Sequence, residues 1–175
     1  MDAGRFDTLV AKHHGEIYRY LCRATAKPGG AEDLTQETFL RAYRAHRTLP
    51  DDANARAWLF TIASNVAKNH GRSESRRLRA HAVVRESRSE TDGAGPESET
   101  LFNEARTVLA AAVAGLPLKQ RLAFTLRKVH DLDYEAIARS LDCSADSARA
   151  HVFQALRKIR RSLNGYELPP GRNEK

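Results

Sequence analysis

The chain has 175 residues, of which 41% are hydrophobic, 7% aromatic and 29% charged, with a formal net charge of +7. So few aromatic residues leave a thin aliphatic core, which suits small helical modules better than a large β-sandwich. The positive charge favours a polyanionic partner such as nucleic acid, although a requirement for solubility would explain it equally well.

Two cysteines, Cys22 and Cys143, are too few for a disulfide framework and do not form a CxxC pair. We therefore expect reduced thiols, no metal site and no cofactor. The N-terminal segment as far as Leu21 is amphipathic and contains acids, without a continuous apolar stretch. This pattern indicates neither a signal peptide nor a membrane span, so we expect a cytoplasmic protein without membrane insertion.

Residues 1–75 are predicted to form a first helical domain. Apolar residues recur at helical spacing from Phe6 to Ala24, and the Pro28-Gly29-Gly30 sequence ends this helix. A second helix is predicted from about Glu32 to Arg47. A third helix is predicted to begin near Asn54. Its side chains expected to face the core are Trp58, Leu59, Ile62, Ala63 and Val66. No segment alternates with a period of two over a useful length, so no strand is predicted.

Residues 76–100 are rich in Arg, Ser, Glu and Gly, and they bury too little apolar surface to offset their ordering entropy. We expect a flexible linker here, whose Arg-rich beginning can prolong the third helix. Residues 101–165 return to helical periodicity, and 166–175 form a tail. The first helix of this second domain is expected to carry an apolar stripe from Leu101 to Val113. Three further helices are expected at Leu118–Lys128, Tyr134–Leu141 and Ala145–Leu163. The predicted fold is all-α, with two small helical domains joined by a flexible linker.

The last two of these helices have the pattern of a helix-turn-helix. Asp133 and Ser144 are each suited to cap a helix through the side chain, and Asp142-Cys143-Ser144 makes the turn between them. A buried stripe is predicted on the second helix at spacings of three and four: Ala148, Val152, Ala155, Leu156, Ile159 and Leu163. An ordinary helical hairpin with a solvated polar face is the alternative interpretation.

The opposite face of that helix is suited to reading duplex DNA in the major groove. Its residues are Ser144, Asp146, Ser147, Arg149, Ala150, Phe153, Gln154 and Arg157. Arg149 can bind guanine through two hydrogen bonds, Gln154 can contact adenine, and Phe153 can touch a thymine methyl group. Arg157 lies further along, where phosphate is the expected contact.

Three segments in the right order resemble sigma factors of the extracytoplasmic function (ECF) class. The sequence AEDLTQETFLRAYR at 31–44 is similar to the polymerase-binding helix of region two, and RAWLFTIASNVAKN at 56–69 resembles the promoter-melting segment. Leu116–Arg157, with YEAIA at 134–138, resembles region four. One departure is Asp146-Ser147-Ala148, where many members have Gly-Thr-Val, and this departure leaves the promoter sequence open.

The resemblance implies specific roles for these residues. The polymerase-binding face is expected to comprise Asp33, Gln36, Glu37, Leu40, Arg41 and Arg44, with Leu34, Thr38, Ala42 and Tyr43 turned towards the core. The minus-ten contacts are expected to be Phe60, Asn65, Lys68, Asn69, Arg72 and Arg76, with Trp58 in core packing. The helix-turn-helix face above corresponds to the reader of the minus-thirty-five element.

The resemblance also implies the partners: core RNA polymerase, through its β′ clamp helices and β subunit, promoter DNA, and an anti-sigma factor, which can hold the protein at the membrane. Two alternatives belong to other classes. A homodimeric helix-turn-helix regulator would have no use for the acidic face of the second helix. An enzyme is disfavoured because His13-His14 lacks HExxH spacing and no phosphate-binding loop or nucleophile motif occurs.

Overall fold

The computed structural model describes residues 3–25, 30–50, 52–82 and 100–164. Within these ranges the regular structure is helical. The first three helices are α1 (Ala3–Thr25), α2 (Ala31–Ala45) and α3 (Ala55–Ala82), with a short 3₁₀ turn at His46–Thr48 after α2. The last four are α4 (Thr100–Ala114), α5 (Leu118–Lys128), α6 (Tyr134–Leu141) and α7 (Ala145–Leu163). The all-α prediction is confirmed.

Helices α1, α2 and α3 pack pairwise into a first bundle. Its centre is Tyr20, which is fully buried and shares a hydrogen bond of 2.7 Å with the Ser64 hydroxyl on α3. This bond satisfies two polar groups that would otherwise be costly inside an apolar core. Gly30 precedes α2 with φ of 98°, a left-handed conformation that glycine adopts without steric cost.

The second bundle comprises α4 to α7, in which α7 packs against each of the other three. The Asp133 carboxylate accepts from the Ala136 amide at 2.6 Å, and the Ser144 hydroxyl accepts from the Ser147 amide at 3.1 Å. Both predicted N-caps are therefore present. Asp142 lies between them in a left-handed conformation, φ 55°, which short polar side chains tolerate well. The helix-turn-helix prediction is confirmed at the level of backbone and caps.

Two side chains predicted to face inward lie at the flank of their helices instead. Tyr43 is 52% exposed and Leu156 is 40% exposed. Each follows an alanine that is fully buried, Ala42 and Ala155 respectively. An α-helix turns by about 100° per residue, so the side chain after each buried alanine lies at the edge of the narrow buried stripe. Helical spacing alone therefore overestimates the burial of Tyr43 and Leu156. The Tyr43 ring rests on the His46 ring, 5.1 Å between centroids.

The two bundles pack against each other, which the sequence did not predict. Helix α3 lies along α6, and α1 contacts both α4 and α5. Buried residues of the two bundles form one continuous hydrophobic cluster that includes Leu21 and Phe60 from the first and Leu126 and Ile137 from the second. The bundles therefore share part of their core.

Helix α3 continues to Ala82, beyond the domain boundary expected at residue 75, because its Arg-rich end contains neither glycine nor proline after Gly71. Most of the expected linker, at 83–99, and the tail at 166–175 lie outside the described residues. Among the residues that are described, no helix is long and apolar enough to cross a membrane, and no three metal-ligating side chains converge.

Candidate nucleic-acid and protein interfaces

The predicted reading face of α7 is open to solvent. Phe153 is 66% exposed, the largest exposure among the large apolar side chains of the described residues. Ser144, Asp146, Arg149, Ala150, Gln154 and Arg157 are also exposed, and Ser147 is half-buried. An exposed phenylalanine flanked by polar and basic side chains suits contact with a thymine methyl group, because water is displaced only when DNA binds.

Arg149 lies within a small cluster on this face. Its guanidinium donates to the Asp146 carboxylate at 2.7 Å, approaches Glu135 at 3.9 Å, and lies over the Tyr134 ring at 5.1 Å from the centroid. Exposed ion pairs of this kind are weak, so the guanidinium can exchange a carboxylate for a guanine edge. Sequence reasoning missed Tyr134 and Glu135 as neighbours of Arg149. Both residues lie in the first turn of α6, and that position is the sequence feature that could have identified them as neighbours of Arg149.

Gln154 is also held in place before any DNA binds. Its side-chain carbonyl accepts a hydrogen bond of 2.7 Å from the Gln120 amide on α5. The free amide group of Gln154 remains able to donate to a base. Gln120 thus supports the reading face from a neighbouring helix, a role that the sequence did not indicate.

On α3, four of the six predicted minus-ten residues share one exposed stripe. Asn65, Asn69, Arg72 and Arg76 recur at spacings of four, three and four, and all are exposed. Two asparagines followed by two arginines present amide groups for bases and guanidinium groups for phosphates.

The other two predicted minus-ten residues lie away from this stripe. Phe60 is fully buried, with its ring 5.2 Å from that of Tyr20 and 4.6 Å from that of His130. Lys68 is also buried, and its ammonium donates to the Ser140 carbonyl at 3.2 Å. Burial lowers the pKa of Lys68 from its usual value. In this arrangement neither side chain is accessible to a DNA strand.

The predicted polymerase-binding face of α2 is solvent-accessible. Asp33, Gln36 and Arg44 are exposed, while Glu37 and Arg41 are half-buried and form an ion pair of 2.6 Å. Leu40, at 45% exposure, lies among these polar groups. Acids around an exposed leucine favour a protein partner over DNA, since carboxylates repel phosphate. Tyr43 adds an exposed aromatic ring on the flank of α2.

A polar cluster joins the two bundles where α1, α3 and the turn after α5 meet. The Arg56 Nε donates to both oxygens of the Glu16 carboxylate at 3.1 Å, and its Nη2 donates to the His130 carbonyl at 2.8 Å. His130 Nδ1 in turn donates to Glu16 at 3.1 Å. The bonded residues of this cluster are 40, 74 and 114 positions apart in the chain, so no local sequence pattern could have predicted their contacts.

The charges in this cluster perturb its titration. Partial burial raises the pKa of Glu16, but hydrogen bonds from Arg56 and His130 and the charge of Arg56 outweigh it, lowering the pKa from 4.5 to about 2. Burial lowers the pKa of His130, an effect that the hydrogen bond to Glu16 opposes only in part. The cluster is therefore an anionic glutamate held by a cationic arginine and a neutral histidine.

Two family models match this chain. Residues 9–77 match Sigma-70 region 2, and residues 106–159 match Sigma-70, region 4. The ECF RNA polymerase sigma-E factor of Escherichia coli (strain K12) is 32% identical over 165 residues, which cover 90% of this chain and 86% of that protein. The RNA polymerase sigma-H factor of Pseudomonas aeruginosa is 32% identical over 169 residues, covering 93% and 88% respectively.

Solved structures share the fold. The sigma factor RpoE in complex with the anti-sigma factor NepR from Bartonella quintana has a TM-score of 0.74 at 22% identity, covering 93% of this chain and 99% of that one. CnrH in complex with the cytosolic domain of CnrY has a TM-score of 0.65 at 20% identity, covering 95% and 92%.

A helix-turn-helix with an exposed polar face in the second bundle, combined with a polar stripe on α3 of the first, is the architecture expected of a protein that contacts DNA at two places. With the matches above, the chain belongs to the ECF family of RNA polymerase sigma factors. It is a transcription initiation factor that directs RNA polymerase to promoters.

Proposed function

We propose that the three exposed surfaces divide the work of promoter recognition. The α2 face of Asp33, Gln36, Glu37, Leu40, Arg41 and Arg44 binds core polymerase, at the β′ clamp helices, and the β subunit supplies further contacts. The α3 stripe holds the separated minus-ten strand. The α7 face reads the minus-thirty-five duplex. The protein itself breaks and forms no covalent bond.

The exposure of the α2 face is the observation that carries this proposal. Leu40 and its polar neighbours remain accessible although the two bundles are packed together. An exposed apolar residue ringed by charges is typical of a protein-binding hot spot, because the surrounding polar groups exclude water once a partner has docked. The face lies on α2, away from the α3–α6 contact.

The DNA contacts are proposed from residue chemistry and exposure. Asn65 and Asn69 on α3 can donate to and accept from an unpaired base, whose unstacking costs a few kcal/mol that these contacts must offset. Arg149 and Gln154 on α7 are expected to read guanine and adenine edges in the major groove.

An anti-sigma factor is proposed as the partner of the free protein. The sigma factor RpoE, which has the same fold, has been solved in complex with the anti-sigma factor NepR. We expect the protein to work in the cytoplasm, and a membrane-bound anti-sigma factor would hold it at the membrane until release.

Transcription from purified components tests the proposal. The protein is mixed with core polymerase and genomic DNA fragments, and the 5′ ends of the transcripts are sequenced. We expect a set of start sites that share upstream elements and that disappear without the protein. A protein that binds palindromic DNA and never associates with polymerase would instead be a homodimeric regulator, and the proposal would be wrong.

A further inference from the structure

The amide group of Gln154, on the exposed face of α7, is bound by a residue that lies outside the helix-turn-helix. The side-chain NH₂ group of Gln120 on α5 donates a hydrogen bond of 2.7 Å to the side-chain carbonyl of Gln154. A glutamine amide has one oxygen that accepts and one NH₂ group that donates. Because Gln120 binds the oxygen, the NH₂ group of Gln154 is the part that is left to contact a base.

The surroundings of Gln120 favour this polarity over the reverse one. Gln120 is half-buried, and its Oε1 atom is buried without a hydrogen-bond partner among the described residues. If the Gln120 amide turned over, its two N–H donors would occupy this dry position instead. Buried N–H groups without a partner are rarer in proteins than buried carbonyl oxygens without one. We therefore expect Gln120 to donate and Gln154 to accept.

The polarity of this pair determines which base edges Gln154 can read. A glutamine with both amide atoms free binds adenine through two hydrogen bonds, accepting from N6 and donating to N7. With its oxygen bound to Gln120, Gln154 acts as a donor. Guanine presents two acceptors in the major groove, N7 and O6, whereas adenine and cytosine each place an NH₂ group there. A donor therefore matches guanine best.

We infer that Gln120 is a specificity-determining residue of the minus-thirty-five reader, because by binding the Gln154 carbonyl it makes Gln154 a reader of guanine. This preference replaces the adenine that the residue type alone suggests. The inference rests on the proposed function, in which the α7 face reads the upstream duplex. Gln120 acts as a positioning residue from α5, 34 positions before Gln154 in the chain, and contacts no base itself.

Gln154 and Arg149 are expected to read different base pairs. Both lie on α7 (Ala145–Leu163) and are exposed. Gln154 follows Arg149 by about one and a half turns, or about 7.5 Å along the helix axis. This distance corresponds to about two base pairs at about 3.4 Å each. A change in the polarity of Gln154 should therefore alter one position of the element and leave the Arg149 position unchanged.

Two variants of Gln120 change the polarity in different ways. Gln120→Glu has the same shape, but its carboxylate only accepts hydrogen bonds, so Gln154 must turn its NH₂ group towards α5 and its oxygen towards DNA. Gln120→Met has a similar length and makes no such bond, so both amide atoms of Gln154 become free. Asn164→Asp is the matched control, because it converts another exposed amide to a carboxylate at the end of α7.

Selection from a randomised library measures the base preference. Core polymerase is loaded with the full-length protein and mixed with promoter fragments whose upstream element is random, and the captured fragments are sequenced. We expect the wild type to enrich guanine at one position, and Gln154→Ala to abolish the preference at that position alone.

The Gln120 variants should alter that same position. Gln120→Glu should shift the ratio of guanine to adenine or cytosine by about fivefold or more, because a good contact of this kind discriminates strongly against the wrong base. Gln120→Met should favour adenine, and Asn164→Asp should retain guanine. Circular dichroism establishes that each variant is folded.

The outcomes separate this inference from the proposed function. A purely structural role of Gln120 would weaken the capture of all fragments equally, so unchanged base preferences in Gln120→Glu and Gln120→Met would overturn the inference. A wild type that enriches adenine at the Gln154 position, or a Gln154→Ala variant that alters no position, would also overturn it. In these cases an enriched upstream element leaves the sigma-factor function intact. A wild type that enriches no upstream sequence would refute the proposed role of the α7 face, and this inference with it.

Discussion

Arg149 lies between two carboxylates and a tyrosine ring on the reading face of the helix-turn-helix. We expect Arg149→Ala to weaken binding to the minus-thirty-five duplex by about 1–3 kcal/mol and to relax the preference for one base pair. The reason is that a guanidinium that makes two hydrogen bonds to guanine discriminates against the other bases. Fluorescence anisotropy with duplexes that vary one base pair at a time measures both effects.

Arg157→Ala is the matched control on the same helix. Arg157 is exposed further along α7, where phosphate is the expected contact. Its loss should weaken binding to all duplexes equally. The slope of the logarithm of the binding constant against the logarithm of the salt concentration should become smaller by about one. If the two variants have the same base preferences as the wild type, Arg149 is not a base-reading residue.

His130 makes stability depend on pH in a predictable direction. Burial lowers the pKa of His130, in surroundings that include Glu16, Arg56 and Arg23. The unfolded chain therefore takes up a proton near the usual value of about 6.5 while the folded histidine stays neutral. The free energy of unfolding should fall as the pH is lowered through this region. Glu16, with a pKa of about 2, loses its stabilising effect only between about pH 4.5 and 2.

Urea unfolding at pH 7.5 and 5.5 measures this dependence. We expect His130→Gln to reduce the difference between the two pH values. The pKa of His151 is also lowered by burial, so His151→Gln shows what a second histidine contributes. A pH dependence that is identical in wild type and His130→Gln would contradict the assignment.

At the scale of helices, local signals predicted the second bundle well. The predicted bounds of α5, α6 and α7 agree with the structure, because caps and turn residues act within a few positions. The prediction was less accurate where burial depends on the partner helix. Tyr43 and Leu156 have the spacing of a buried helical stripe, yet the helices packed against α2 and α7 do not cover them and both side chains remain exposed.

The cap of α6 gives a prediction for that element. Asp133→Ala removes the carboxylate that accepts from the Ala136 amide. We expect a loss of about 1 kcal/mol in the free energy of unfolding, and a smaller loss for Asp133→Ser, which retains a capping oxygen. Urea unfolding followed by circular dichroism provides the values. Equal losses in both variants would show that the capping bond contributes little.

The exposed face of α2 gives a prediction about polymerase. Leu40→Ala should weaken the complex with core polymerase by more than about 1 kcal/mol, because a central apolar side chain ringed by polar groups carries a large share of binding energy. The fold should be unaffected, since Leu40 is 45% exposed. Lys12→Ala, an exposed residue on α1, is the control, and equal affinity in both variants would exclude Leu40 from the interface.

At the scale of the whole molecule, sequence reasoning recognised the two domains but not their contact. The six residues predicted for the minus-ten strand were chosen by resemblance, which does not report which side of α3 another bundle covers. Phe60 and Lys68 contact His130 and Ser140, which lie 70 and 72 positions away. Such contacts depend on how two amphipathic surfaces meet in space. No local periodicity encodes them.

The shared core leads to a prediction about cooperativity. Because buried residues of both bundles form one cluster, we expect the wild type to unfold in a single calorimetric transition. Gly71→Leu, which places a side chain against Leu118 at the contact, should resolve this into two transitions by uncoupling the bundles. Gly15→Ala is the control, since a Cβ at Gly15 meets only the flexible Arg19 side chain, at 3.3 Å. Two separate transitions in the wild type would mean that the bundles unfold independently and that their contact contributes little free energy.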